Sequence, residues 1–368
     1  MSSHPPLLVR DGVCHAILAF DVGREIDLGR AALTLGAEPS PPAGSGRPPY
    51  LQFAHPPVRC TVPVPPVEVD GVRTGSEAVV VLYDFGAVTV EFAVPATGTL
   101  ADLANVGTRI CATDALARAA RGLVGEIVRK LGAAIDTPSV PEVVEEYLVF
   151  HARRVETGVP VARWTQTFAA DLAAVLRADH RPLSPQEIDH TLSSPVSFTP
   201  DDLVIVDWNA AFVARERADD VLAVLAFANV QLLEMRFLDA RLDGDLQRSY
   251  DVVRGVAPRI VLFPSKHRGA LDQVARRQID AALLFEHVRN APKLLGDQYL
   301  ARVYENAARR FRLADWNDAI HRKLEVLGTI YERLRDRAAV ARAEVLEWII
   351  IVLIFVSMVI PFLVPTAK

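Results

Sequence analysis

The sequence predicts an α+β fold: a mixed sheet with flanking helices, then a long helical, coiled-coil hairpin and a single C-terminal transmembrane helix. Three observations carry this. Glu77 to Phe92 holds two β-branched runs around Asp84-Phe85-Gly86, the pattern of a hairpin. From Asp315 to Val345 apolar residues recur at alternating steps of four and three without a proline, the 3.5-residue repeat of a coiled coil. From Trp348 to Ala367 no side chain is charged, and a membrane helix needs roughly 17–25 mostly apolar residues.

Taken in order, residues 1–10, with two prolines and a histidine, are expected to be a flexible N-terminus. Val13 to Phe20 is an apolar run fit for a buried strand, and Asp21 to Leu35 places Ile26, Leu28 and Leu33 at helical spacing. Residues 39–66 are proline-rich and predict an extended loop with one short edge strand at Leu51 to Ala54, because proline fixes φ and removes a donor. Helices follow at Leu100 to Asn105 and Ala112 to Leu131, and a strand at Val143 to His151. Glu145 and Glu146 are adjacent in that strand and point to opposite faces, so they cannot share a proton or a metal. Phe168 to Leu176 is helical. Ser184 and Glu187 have capping-box spacing. Asp202 to Val213 is strand-like, and Val221 to Leu242 is a strong apolar helix. These elements form one α+β domain over 11–245.

Residues 265–345 read as a helical hairpin stalk. Its core positions are Ile320, Leu324, Leu327, Tyr331, Leu334, Ala338, Ala341 and Val345. With Leu324 and Leu327 at a and d, Arg335 and Arg342 fall at e and Arg337 at g. A parallel homodimer would face like charges, so an antiparallel partner within the chain is favoured, the preceding helix with Leu271, Val274, Phe285 and Val288. The anchor is 346–365, with Trp348 at the interface and Ile349, Ile350, Ile351, Leu353, Phe355 and Phe362 in the apolar phase. Arg333, Arg335, Arg337 and Arg342 precede it and Lys368 alone follows, so the positive-inside rule puts the N-terminal domain in the cytoplasm of a single-pass, tail-anchored protein.

Charge supports a membrane surface. The formal net charge is −5, yet Ser265 to Val345 carries 16 Lys/Arg against 11 Asp/Glu. Anionic lipid attracts such a segment. The three cysteines, Cys14, Cys60 and Cys111, have no metal-type spacing and read as reduced, buried small residues. No Walker A loop, GxGxxG, GxSxG or HExxH occurs. Asp84-Phe85-Gly86 lacks every other kinase element and reads as a turn. Asp207, Trp208 and Asn209 interrupt an apolar run. If buried they need partners, so they mark either a ligand site or a structural polar site at a strand end.

Three stretches resemble the "required for meiotic nuclear division" family: Val13 to Val22, the hairpin Val81 to Val88, and Leu346-Glu347-Trp348-Ile349-Ile350-Ile351 leading into a terminal apolar helix. Where that family has a Ser-His-Ala-like helix, this chain reads Cys111 to Ala117. The resemblance implies a membrane-anchored α+β domain without established catalysis and, for mitochondrial members, support of organellar translation. The function expected from the sequence is therefore a non-enzymatic scaffold or partner-binding module with no cofactor. Its partners would be membrane lipid and either a second copy or another membrane protein. A membrane factor contacting ribosome or RNA through its basic patches, and a hydrolase with a site near Asp207 and Asn209, are the alternatives.

Overall fold

The computed structural model describes residues 6–37, 55–139, 143–179, 181–255 and 297–363. Two compact units divide the chain. One takes Met1–Phe237 and His287–Asp315, the other Leu238–Glu286 and Trp316–Lys368.

The first unit is built on a mixed sheet. Its central strand, β1 (Leu8–Asp21), is followed by the short β2 (Glu25–Ile26) and α1 (Leu28–Leu35). Next come β3 (Val58–Pro63), β4 (Glu68–Val69), β5 (Val72–Arg73), β6 (Glu77–Leu82), β7 (Ala87–Pro95) and β8 (Gly98–Thr99). Two helices follow, α2 (Leu100–Cys111) and α3 (Ala115–Leu131), then β9 (Ile135–Asp136) and β10 (Glu145–Glu156). The chain continues through α4 (Trp164–Thr167), α5 (Ala169–Arg177), α6 (Pro185–Thr191), β11 (Leu203–Val206) and β12 (Ala210–Ala214). Three further helices are described, α7 (Asp219–Gly255), α8 (Gln298–Arg310) and α9 (Leu313–Leu363); α7 from Leu238 and α9 from Trp316 belong to the second unit.

The strand order is β11-β12-β10-β1-β7-β6-β3, with β8 also on β1. Every pair is antiparallel except β10 with β12, which makes the sheet mixed. Alternation sorts the side chains. Cys14, Ala16, Leu18 and Phe20 of β1 join Phe92, Phe150 and Phe212 in one core with α2, α3 and α5. The opposite face carries His15, Tyr147, Val149 and Val213, and meets α7 and α8: Phe227 lies 6.3 Å from Tyr83, and Phe311, just past α8, lies 5.1 Å from Tyr147.

The expected hairpin is there. β6 and β7 pair from Ala78↔Phe92 to Leu82↔Val88 around the Asp84-Phe85-Gly86 turn. Gly86 has φ +93°, and a Cβ there would stand 2.0 Å from the Gly23 carbonyl oxygen. That turn is a docking point as well: Val22 N–H donates to Gly86 O and Ile26 N–H to Asp84 O.

Several boundaries differ from expectation. β1 begins at Leu8, because a bulge at Asp11 and Gly12 lets its pairing with β10 continue. Helix α1 starts only at Leu28, where Asp27 caps it by accepting from Arg30 N–H. The Val58–Pro63 strand was hidden by surrounding prolines. It is an edge strand with Pro63 at its last position, where a missing donor is tolerated. The edge strand expected at Leu51 to Ala54 lies outside the described residues. Ser184 caps α6 by accepting from Glu187 N–H, but the Glu187 carboxylate turns to Arg177, so the capping box stays half closed. Only Cys14 is buried; Cys60 is half-exposed and Cys111, last residue of α2, is exposed.

In the second unit α9 packs against α7. Ile320, Leu324 and Leu327 are buried, as are Leu238 and Leu242. Lys323 bridges Asp239 at 2.7 Å and Asp243 at 2.6 Å, and Ser249 Oγ donates to the Tyr331 hydroxyl at 3.1 Å. Both helices advance together through these contacts, so the pair is parallel. Among the described residues, α7 takes the place expected for an antiparallel helix. α7 presents to α9 the Asp239 and Asp243 carboxylates that meet Lys323. The helix proposed at 266–289 lies outside the described residues, as do the side chains of Leu334, Ala338, Ala341 and Val345.

Candidate functional site

Asp207, Trp208 and Asn209 turn out to be the turn between β11 and β12, closed by Asp207 N–H donating to Ala210 O at 2.9 Å. The three side chains do not converge. Asp207 is 1% exposed, Trp208 is half-buried and Asn209 is exposed.

Asp207 is clamped from two sides. Arg177, from the end of α5, places Nε 3.2 Å from Oδ2, and Arg310, from the end of α8, places Nη1 3.6 Å from Oδ1. Arg310 also donates to the carbonyls of His190 and Thr191 at the end of α6, and to Ser193 Oγ. Arg177 reaches Glu187 as well. The Tyr147 hydroxyl donates to the Asp207 carbonyl at 3.0 Å. Burial pushes the Asp207 carboxyl up while Arg177 and Arg310 pull it back, and it settles above the usual carboxylate range. Trp208 stands edge-on to Phe311 at 6.4 Å, with the Arg236 guanidinium 5.6 Å from its ring centre. This geometry ties α5, α6 and α8 to one hairpin. It leaves the carboxylate sealed from solvent.

A second buried ion pair lies on the same face. Arg236 of α7 donates to both oxygens of Glu145 at 2.9 and 2.7 Å, and Asn229 donates to the Glu145 carbonyl at 3.3 Å. Glu146 faces the other way, where the charges of Asp114 and Arg121 are felt. The opposed-face reading of this pair therefore stands. Nearer the middle of the sheet, His15 Nδ1 meets Glu91 at 2.7 Å and His151 Nε2 donates to the Arg215 carbonyl at 2.8 Å, with the two rings 5.8 Å apart. Burial works to raise the Glu91 carboxyl, but the bond and charge of His15 outweigh it and its pKa falls below the ordinary value. Burial lowers the pKa of His151. Sequence reasoning missed this group, since lone histidines in apolar strands carry no spacing signal. Among the described residues no group of three or more His, Cys, Asp or Glu is placed to hold a metal ion.

The far end of α9 is of another kind. Large apolar side chains run from Leu346 to Met358, and they are exposed at consecutive positions: Trp348 65%, Ile349 49%, Ile350 56% and Ile351 49%. Four successive residues span more than one turn, so no face of this helix is covered. Leu346–Met358 is shorter than a bilayer span. The described helix that meets that length and apolarity is Asp219–Ser249, which is 72% buried, as a core helix is. Arg333 is exposed; the side chains of Arg335, Arg337, Arg342 and Phe362 lie outside the described residues.

Against known families, residues 11–220 match the one described as "Uncharacterized protein MJ0711, N-terminal domain". The chain belongs to this family. The match to the MJ0711 N-terminal domain begins inside β1 and ends as α7 begins, so it takes in the sheet, Arg177 and Asp207 but not Arg236, Arg310 or α9. Half of each buried clamp is thus supplied from outside the matched domain. A relative, "Uncharacterized protein MJ0711" of Methanocaldococcus jannaschii, is 23% identical over 190 residues, which is 51% of this chain and 58% of the relative. The likeness therefore spans little more than half of that protein's length.

Proposed function

We propose that this chain is a membrane-anchored module that works by binding a partner, with α9 carrying it at a bilayer surface and the sheet-bearing unit held on the cytoplasmic side. The uncovered apolar end of α9 is the observation that supports this. Leaving a large apolar side chain in water forgoes about 1.5–3 kcal/mol of burial, so the run from Leu346 to Met358 represents on the order of 15–30 kcal/mol in all. A bilayer offers an apolar phase on every side of a helix at once, whereas a protein partner covers one face. Trp348 at the start of the run suits the interface, and the arginines before it suit the cytoplasmic side. The non-catalytic part of the proposal is supported by Asp207. It is the acid that the sequence offered for chemistry, and it is spent on Arg177 and Arg310.

The test is partner capture in native membranes, comparing the full chain with a version ending at Ala343. The full chain should stay with membranes through high salt and the shortened one should not. Ribosomal components crosslinked to the full chain and lost in high salt would favour the translation-linked role that the resemblance implies. A shortened chain that still sediments with membranes would defeat the anchor.

A further inference from the structure

A cleft of about 530 Å³ opens where the parallel pair β10–β12 ends. The last rung is Arg215 N–H donating to Ala152 O at 3.1 Å. Beyond it the strands part: β10 runs on to Glu156 beside β1 alone, and β12 turns away towards α7. The volume lies within the usual range of a small-molecule site.

The chemistry of the walls selects a charge. The floor is apolar: Val155, Val161 and the body of Trp164, whose indole N–H is spent on the Val159 carbonyl at 2.9 Å. Phe198 stands over it 58% exposed, its ring 5.4 Å from that of Tyr299. Of the two lining guanidiniums, Arg215 is held by Asp220, 3.4 Å from each carboxylate oxygen, and lies 5.4 Å from the Tyr299 ring centre. Only Arg153 remains against three lining carboxylates. Asp202 is buried and uses one oxygen to accept from Phe198 and Thr199 N–H, which fixes the loop. Asp201 and Glu216 are exposed at the rim. An apolar floor, an open aromatic face and a surplus of negative charge fit one class of ligand.

We propose that this cleft binds a small organic cation, an ammonium or guanidinium group on an apolar stem. The stem would lie on the Trp164 floor, and the cation would lie between Phe198 and the Asp201 and Glu216 carboxylates.

The probes are 4-phenylbutylamine and 4-phenylbutyrate, which share a stem and differ in charge, titrated by calorimetry into the full chain in nanodiscs. The amine should bind saturably and more tightly than the acid. The double variant Asp201→Asn/Glu216→Gln should weaken it about five- to tenfold, and Phe198→Ala about threefold. All three residues are exposed, so the variants should melt with the parent. Equal or tighter binding of the acid, an amine titration without saturation, or affinity unmoved by these substitutions would overturn the proposal.

Discussion

The sheet-bearing unit and the far end of α9 treat buried and exposed chemistry in opposite ways. On the second face of the sheet, charges that should be in water are inside, and they have partners: Asp207 lies between Arg177 and Arg310, and Glu145 is gripped by Arg236. At the far end of α9, side chains that should be inside are outside, and they have none within the described chain. In the first unit the opposite charge comes from the unit's own helices. On the proposed reading, the α9 end is completed by an apolar phase around it. The contrast locates what this protein needs from its surroundings.

The largest expected effect comes from charging the α9 end. Ile351→Asp with Phe355→Asp should abolish binding to lipid vesicles, since each aspartate costs about 2.5–3.5 kcal/mol at the centre of a membrane helix. Melting of the sheet-bearing unit should not move. The comparison breaks if that unit melts early or if vesicle binding survives.

Next is the clamp. Asp207→Ala removes the carboxylate between two mostly buried guanidiniums. Arg177 keeps Glu187 and Arg310 keeps its carbonyl and hydroxyl acceptors, so the loss should sit at the low end of the range for a broken buried pair, about 3 kcal/mol. Chemical denaturation should report that loss while flotation with vesicles stays normal. A loss under 1 kcal/mol (about the value of a surface pair) would mean the clamp is not what fastens α8.

Gly86→Ala ranks third. It must adopt φ +93° and displace the Gly23 backbone, so a loss of about 1–3 kcal/mol in the same assay is expected. A neutral result would show that the turn docks more loosely than its hydrogen bonds suggest.

The smallest effect is a pH dependence. Burial holds the His151 pKa below its ordinary value of about 6.5. The unfolded chain therefore takes up a proton first as the pH falls. Stability from this group is fully present above about 6.5 and declines below it, down to the depressed folded value. His151→Gln keeps a donor for the Arg215 carbonyl and cannot titrate. Its denaturation midpoint should fall less than the parent's between pH 7.5 and 5.5; identical slopes would remove His151 from the account.

Much of the fold was legible because it is local. The alternation in Ala78–Leu82 and Ala87–Phe92 and the glycine between them specify a hairpin without help from elsewhere. Strand β3 was not legible, because its edge position is what permits the prolines around it, and edge position is a property of the sheet. Asp207 could be marked as a polar residue needing partners. Its partners could not be named, since Arg177 and Arg310 come from other helices and arrive by folding. The repeat at Ile320, Leu324 and Leu327 announced a buried stripe, and it is buried. Among the described residues α7 lies against it, through Asp239 and Asp243, acidic residues that the apolar pattern ignores.

The most direct measurement of the central claim is a spin-label scan of α9 from Leu346 to Met358 in the full chain on lipid vesicles. Accessibility to oxygen and to a water-soluble nickel complex would be read at each position. A bilayer around the helix predicts high oxygen and low nickel accessibility at every position, without helical periodicity. A period near 3.6 residues, with one face shielded from both reagents, would contradict it and place a protein partner on that face.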